Sequence, residues 1–115
     1  LATYLYQVAY TPEGWSRLVA SPQDRLEAVK PAIEQLDGTL IAGWLCFGEY
    51  DLIAIADLPD NVSAAAFSIA ASAGGVVSKL HTTVLMSSED GIRAMEKAQA
   101  SVYAPAPPAA ERATV

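Results

Sequence analysis

The sequence predicts an α+β fold in which strands and helices follow the order βαββαβ, with one further helix at the end. Three observations carry that reading. Four segments are rich in β-branched and aromatic residues: "ATYLYQVAY", "TLIAGWLCF", "YDLIAIADL" and "VVSKLHTTVLM". Segments with helical spacing separate the first from the second and the third from the fourth. Only Gly48-Glu49 stands between the second and the third, and such a Gly-X pair suits a two-residue type II′ hairpin turn.

Residues 2–10 form the first predicted strand, stopped at Thr11-Pro12. From Pro12 to Ala20, the spacing of Trp15, Leu18 and Val19 places them on one face of a short helix. Ser21 is a good N-cap for a longer helix, with Pro22 at its first position and Asp24 where the helix dipole favours a negative charge. Leu26, Val29, Ile33 and Leu36 form its buried stripe. Pro31 removes one hydrogen bond and should bend this helix, and Asp37-Gly38 should end it, with Gly38 in the left-handed conformation. Residues 39–47 and 50–58 make the hairpin strands. Asp60 can cap "NVSAAAFSIAASA", a helix whose expected inner side is Val62, Ala66, Phe67, Ile69 and Ala70. Gly74-Gly75 breaks it, residues 76–86 make the fourth strand, and Ser87 or Ser88 caps a last helix with a thin apolar face at Ile92 and Met95. The domain is expected to span 1–100, followed by a Pro/Ala-rich flexible tail over 101–115. Together the elements give the split βαβ order of a ferredoxin-like sandwich, two helices covering one face of a four-stranded antiparallel sheet.

A chain of 115 residues, 52% hydrophobic and 17% charged, has the length for one domain and must hide much apolar surface. Its net charge of −6 and the lack of any Lys/Arg run argue against nucleic acid and anionic membranes as partners, since the steering field has the wrong sign. Cys46 is the one cysteine and His81 the one histidine, which excludes an intrachain disulfide and a Cys/His zinc cluster and makes a reducing cytoplasm the expected location. No signal-peptide pattern and no long apolar run is present, and the Leu at position 1 does not reveal its own origin.

A half-exposed antiparallel sheet should alternate apolar and polar residues. These strands do not. Strict alternation puts Leu40, Ala42, Trp44 and Cys46 on one side and Ile41, Leu45 and Phe47 on the other, and Leu52, Ala54 and Ala56 opposite Ile53 and Ile55. Both faces want burial, while two helices cover only one. The second face is therefore expected to pack on another copy of the chain, giving a dimeric α+β barrel or a higher homo-oligomer.

The stretches "ATYLYQVAYTPEGW", "SPQDRLEAVKPAIEQL", "GEYDLIAIADLPDNVSAAAFSIAASAGG" and "TTVLMSSEDGIRAMEKA" resemble the GYD domain family, small bacterial proteins named for a Gly-x-Tyr-Asp signature matched by Gly48, Tyr50 and Asp51. The resemblance covers residues 2–98 and implies a ferredoxin-like fold related to dimeric α+β barrels. It carries over no catalytic residue, because the family has no established activity. Asp37 departs from the pattern by standing where many relatives have a second glycine, which bears on how the preceding helix ends.

Glu49 and Asp51 could act as paired carboxylates, or as a solvated turn acid beside an Asp bonded to backbone N–H groups. Lys79, His81 and Thr83 alternate onto one side of the fourth strand, with Ser78, Leu80, Thr82 and Val84 on the other. Facing an inter-subunit cavity, Lys79 would offer a cation and His81 a group that titrates near neutrality; facing solvent, they are a polar strand face. Tyr4, Tyr6, Trp44 and Cys46 could line an apolar pocket or serve packing alone. The ligand-binding candidates are thus Lys79, His81, Trp44, Tyr6 and Asp51, and the catalytic candidate is His81. Phosphate loops, nucleophile elbows and metal-ligand spacings are absent from the sequence, and no cofactor is indicated.

The function expected is that of a homo-oligomeric binding or accessory protein holding a small apolar or anionic ligand at the sheet face. The alternatives are a cofactor-poor oxygenase- or isomerase-like enzyme using His81, by analogy of fold, and a purely structural assembly subunit.

Overall fold

A computed structural model describes residues 1–109. Residues Leu1–Leu85 form one compact unit, and the chain from Met86 onward belongs to a second. The first unit contains β1 (Ala2–Tyr10), α1 (Pro12–Ala20), α2 (Leu26–Glu34), β2 (Thr39–Leu45), β3 (Leu52–Leu58), α3 (Asn61–Ala73) and β4 (Val77–Leu85). The sheet is antiparallel throughout, with strand order β2-β3-β1-β4, consistent with a ferredoxin-like sandwich. In the second unit α4 (Ser88–Ala100) starts at Ser87, whose hydroxyl accepts the Asp90 N–H, and none of its residues is buried. Of the tail expected over 101–115, residues 101–108 carry neither helix nor strand, and 110–115 lie outside the described residues.

The core lies between α1–α3 and one face of the sheet. Strand pairing puts three rows of side chains on that face: Leu40, Ala56, Tyr4 and Val84; then Gly43, Ala54, Tyr6 and Thr82; then Leu45, Leu52, Val8 and Leu80. Ile33 from α2 and Ala64 and Phe67 from α3 close over Tyr4, Tyr6, Ala54, Ala56 and Leu58. Both tyrosines keep their hydroxyls bonded, Tyr4 donating to Asn61 Oδ1 at 2.7 Å at the core's rim and Tyr6 to the buried Ala64 carbonyl at 2.9 Å.

Local chemistry departs from the expected pattern at five places. Residues 21–25 are not helical: Thr11 caps α1 through the Gly14 N–H, and α2 starts only at Leu26, whose N–H is taken by the Asp24 carboxylate at 2.9 Å. At the end of α2 the left-handed residue is Asp37 (φ 61°), not Gly38. The Gly38 N–H reaches the Ile33 carbonyl and the Asp37 N–H the Glu34 carbonyl, a Schellman closure. Gly38 is needed for a different reason, since a Cβ there would stand 2.5 Å from the Asp57 carbonyl oxygen.

In β2, a bulge between Leu40 and Ala42 inserts Ile41, so Leu40 and Leu45 face the helices while Ala42 and Trp44 face the other way. Strict alternation had put Leu40 beside Trp44, and the extra residue reverses that phase. In α3 the inward residues are Ala64 and Phe67, whereas Val62 and Ile69 are exposed; an apolar helix on all sides gives its sequence no phase to read. In α1 the Val19 side chain likewise turns outward.

Candidate functional site

The sheet face opposite the helices is covered by no element of the first unit. The same registers put three rows on it: Trp44, Ile53, Gln7 and His81; then Ala42, Ile55, Leu5 and Thr83; then Thr39, Asp57, Thr3 and Leu85. The face is apolar along β2 and β3 and turns polar towards the β4 edge. Trp44, at the apolar end of its row on the edge strand β2, is 56% exposed, and Ile41 on the bulge and Phe47 just beyond the strand are exposed too. Large apolar side chains in such continuity are what soluble surfaces avoid.

Lys79 and His81 lie on this face, which alternation in β4 alone left undecided. His81 is exposed and stands across from Gln7, a neighbour that the sequence reading did not single out. Period-two alternation in β1 would have placed Gln7 opposite Tyr6, but only the order of strands reveals that it flanks His81. Lys79 is already engaged: its ammonium donates to Glu49 at 3.0 Å and sits 4.8 Å from the centre of the Tyr50 ring. The ion pair is exposed and adds little stability, yet it turns the cation towards the hairpin loop.

That loop differs from a two-residue turn. The Cys46 N–H donates to the Asp51 carbonyl at 2.8 Å, which leaves Phe47–Tyr50 as the connection between the strands. Gly48 takes φ +143°, a backbone conformation that side-chain-bearing residues rarely adopt. Glu49 and Asp51 do not form a carboxylate pair, because Glu49 turns to Lys79 while Asp51 Oδ2 accepts the Tyr10 backbone N–H at 2.9 Å and the Trp15 indole N–H at 3.3 Å. Asp51 thus clasps the start of β3 to the end of β1 and to α1. The Cys46 thiol is spent on the Tyr50 carbonyl at 3.2 Å.

The five ligand candidates therefore do not converge. Tyr6 lies in the helix-covered core, 1% exposed, on the opposite face from Trp44, and burial aided by Tyr4 pushes its phenol up to about 12. Asp51 is held at the hairpin. Trp44 and His81 share one row of the open face, with Lys79 a strand step beyond. Among the described residues no group of three or more His, Cys, Asp or Glu could hold a metal ion, and no helix is long and apolar enough to cross a membrane.

Comparison with known proteins identifies a family and no activity. No curated protein matches the chain. Among solved structures, one described as the crystal structure of FFRP-DM1 is similar at 14% identity, covering 75% of this chain and 100% of its own, with a TM-score of 0.47. The NE2512 protein of unknown function from Nitrosomonas europaea is similar at 18% identity over 74% of this chain and 88% of its own, with a TM-score of 0.39. The GYD domain model matches residues 4–95, taking in most of β1, all of β2, β3 and β4, and the loop in which Gly48, Tyr50 and Asp51 make their contacts. The chain belongs to the GYD domain family.

Proposed function

We propose that the protein is a cytoplasmic homodimer joined through the open sheet face, a dimeric α+β barrel, and that it serves as a binding or accessory module for a small apolar or anionic molecule held between the two sheets. The observation that carries this reading is the row Trp44, Ile53, Gln7 and His81, apolar at one end and polar at the other. A two-fold axis through the face would bury both apolar ends and leave Gln7, His81 and Thr83 of each subunit to line what space remains. In such a space His81 supplies a donor or a cation, while Lys79 contributes only if it releases Glu49.

Size sets the expected strength. Four strands about 4.8 Å apart and seven residues of about 3.3 Å each give a face of roughly 400 Å². Two such faces bury area at the low end for specific association, so the dimer should dissociate on dilution. Sedimentation velocity from micromolar to submillimolar concentration is expected to show a species of twice the 12.1 kDa chain mass that weakens on dilution. Trp44→Glu should yield a monomer with an unchanged far-ultraviolet spectrum, lower in Tm only by what the dimer contributes. A wild-type monomer across that whole range would overturn the reading, and so would a Trp44→Glu dimer as tight as the parent.

The enzymatic alternative rests on the same dimer. His81 could transfer a proton to or from an enclosed substrate only where a second sheet shields it from water, since in the single chain it is exposed.

A further inference from the structure

A second cavity lies on the helix side of the sheet, where nothing in the sequence pointed. The helices α2 and α3 do not close on each other. Between them the small residues Ala70 and Ala71 leave a cleft of about 220 Å³, floored by Tyr6, Val8 and Ala54 and walled by Val29 and Phe67. One charged side chain lines it, that of Arg25 at the start of α2. The neighbouring hollows between α1 and α2, and along the outer α2/α3 seam, are also lined by Arg25. The guanidinium therefore stands where these spaces meet.

Its surroundings leave that charge available. Arg25 donates to Gln23 Oε1 at 2.8 Å, and among the described residues no carboxylate lies within ion-pair distance of it. Asp24, the one acid lining an adjoining hollow, is occupied by the Leu26 N–H. Arg17 shares the hollow beside Tyr10 but is paired with Glu13 at 2.8 Å. The Tyr10 phenol also lines the cleft; burial holds it above its usual range against the opposing charge of Arg25, so at neutral pH it remains an O–H donor. An uncompensated cation and a phenol at the mouth of a small apolar cleft, on a chain of net charge −6, form a local exception with a chemical meaning.

We infer that the α2/α3 cleft binds a small monocarboxylate with an apolar body, its carboxylate held by Arg25 and the Tyr10 hydroxyl and its hydrocarbon end lying against Val29, Phe67 and Ala71. This site is separate from the sheet face, and its test does not depend on dimerisation. Charge fits because a guanidinium holds a carboxylate by two parallel hydrogen bonds, and apolar walls favour a ligand whose other end is hydrocarbon. Size fits as well: at roughly 30 Å³ per water the cleft holds about seven, less than a drug-sized pocket and enough for a medium-chain or phenylalkyl acid.

The experiment is an amide-resolved NMR titration of the full chain with octanoate, and with 1-octanol as the neutral counterpart. Saturable octanoate binding is expected below about 1 mM, at the modest affinity a ligand of this size can reach. The shifts should centre on Val29, Phe67, Ala71 and Gly74. Octanol should bind at least roughly tenfold more weakly, and Arg25→Gln should lose about the same factor for octanoate while leaving octanol unaffected. Ala71→Phe, which fills the cleft from an accessible wall, should abolish binding of both with an unchanged far-ultraviolet spectrum. The inference is overturned by shifts centred on Trp44, Ile53 and His81, by equal affinity for octanoate and octanol in the wild-type chain, or by no saturation up to about 10 mM.

Discussion

Asp51 is the residue of the family signature whose role the structure specifies most closely, and replacing it separates a clasp from a reactive group. Both of its hydrogen bonds use the same oxygen, Oδ2, with the Tyr10 N–H at 2.9 Å and the Trp15 indole at 3.3 Å. The Tyr10 N–H lies beyond the last β1–β3 pair, Val8 with Leu52, so the carboxylate extends a ladder that the backbone has ended. A hydrogen bond to a charged acceptor contributes about 1.5–3 kcal/mol, and the longer indole contact less. Asp51→Ala should therefore cost about 2–3 kcal/mol in total, with a fall in Tm of roughly 10–20 °C for a unit of this size. Asp51→Asn can place its amide oxygen where Oδ2 stands and keep both contacts at neutral strength, so its cost should be about 1 kcal/mol. Urea unfolding at constant m-value measures both. If Asp51→Ala lies within about 0.5 kcal/mol of the parent, or if Asn is as damaging as Ala, the clasp is not what the residue provides.

Two further outcomes follow from the same packing. Gly38→Ala should destabilise more than Gly43→Ala, because the new Cβ would meet the Asp57 backbone carbonyl at 2.5 Å in the first case and the movable tip of Leu26 at 2.5 Å in the second. The expected costs are about 3 kcal/mol or more and about 1–2 kcal/mol, read as paired urea midpoints. Tyr6→Phe should lose one buried hydrogen bond at neutral pH and change the alkaline limb of the stability curve. With the folded phenol raised from 10.0 to about 12, its contribution is complete below pH 10 and is lost as pH climbs to 12, so the stability gap between parent and Phe variant should shrink across that window.

The parts of the fold legible in the sequence are those where local chemistry and tertiary need agree. The four strands announce themselves by composition, Asp60 caps α3 by accepting the Ser63 N–H as expected, and Leu26, Val29, Ile33 and Leu36 show their helical period because Glu27, Lys30, Glu34 and Gln35 stand between them. Where composition is apolar on every side, as in α3, periodicity carries no phase, and the inward Ala64 is invisible beside the outward Val62 and Ile69. The Ile41 bulge is a property of the β2–β3 pair rather than of β2, and one inserted residue was enough to exchange Leu40 for its neighbours. Alternation in β4 puts Lys79 and His81 on one side but does not say which sheet face that is, and only the pairing of β4 with β1 decides it. Their surroundings were not readable: Gln7 reaches His81 through strand order, and Glu49 reaches Lys79 across a loop whose shape depends on Gly48 at φ +143°.

The signature that identifies the family thus performs a mechanical task, and this changes where chemistry should be sought. Gly48 lets the loop fold, Tyr50 lies under the Lys79 ammonium, and Asp51 ties β3 to β1 and α1, so the polar groups of this corner are largely spent on one another. A group already satisfied by the fold must break a native contact before it can serve a ligand, and that cost comes out of the binding energy. His81 on the open face and Arg25 at the α2/α3 cleft face less of this penalty, since neither is held by a carboxylate among the described residues and Arg25 gives up at most its exposed contact with Gln23. They also sit on opposite sides of the sheet, one where a second copy would enclose it and one where the single chain already does so in part. If both proposals hold, Trp44→Glu should abolish the dimer and leave octanoate binding intact, and Arg25→Gln should do the reverse; a variant that removed both at once would mean that the two faces are coupled through the shared strands β1 and β3.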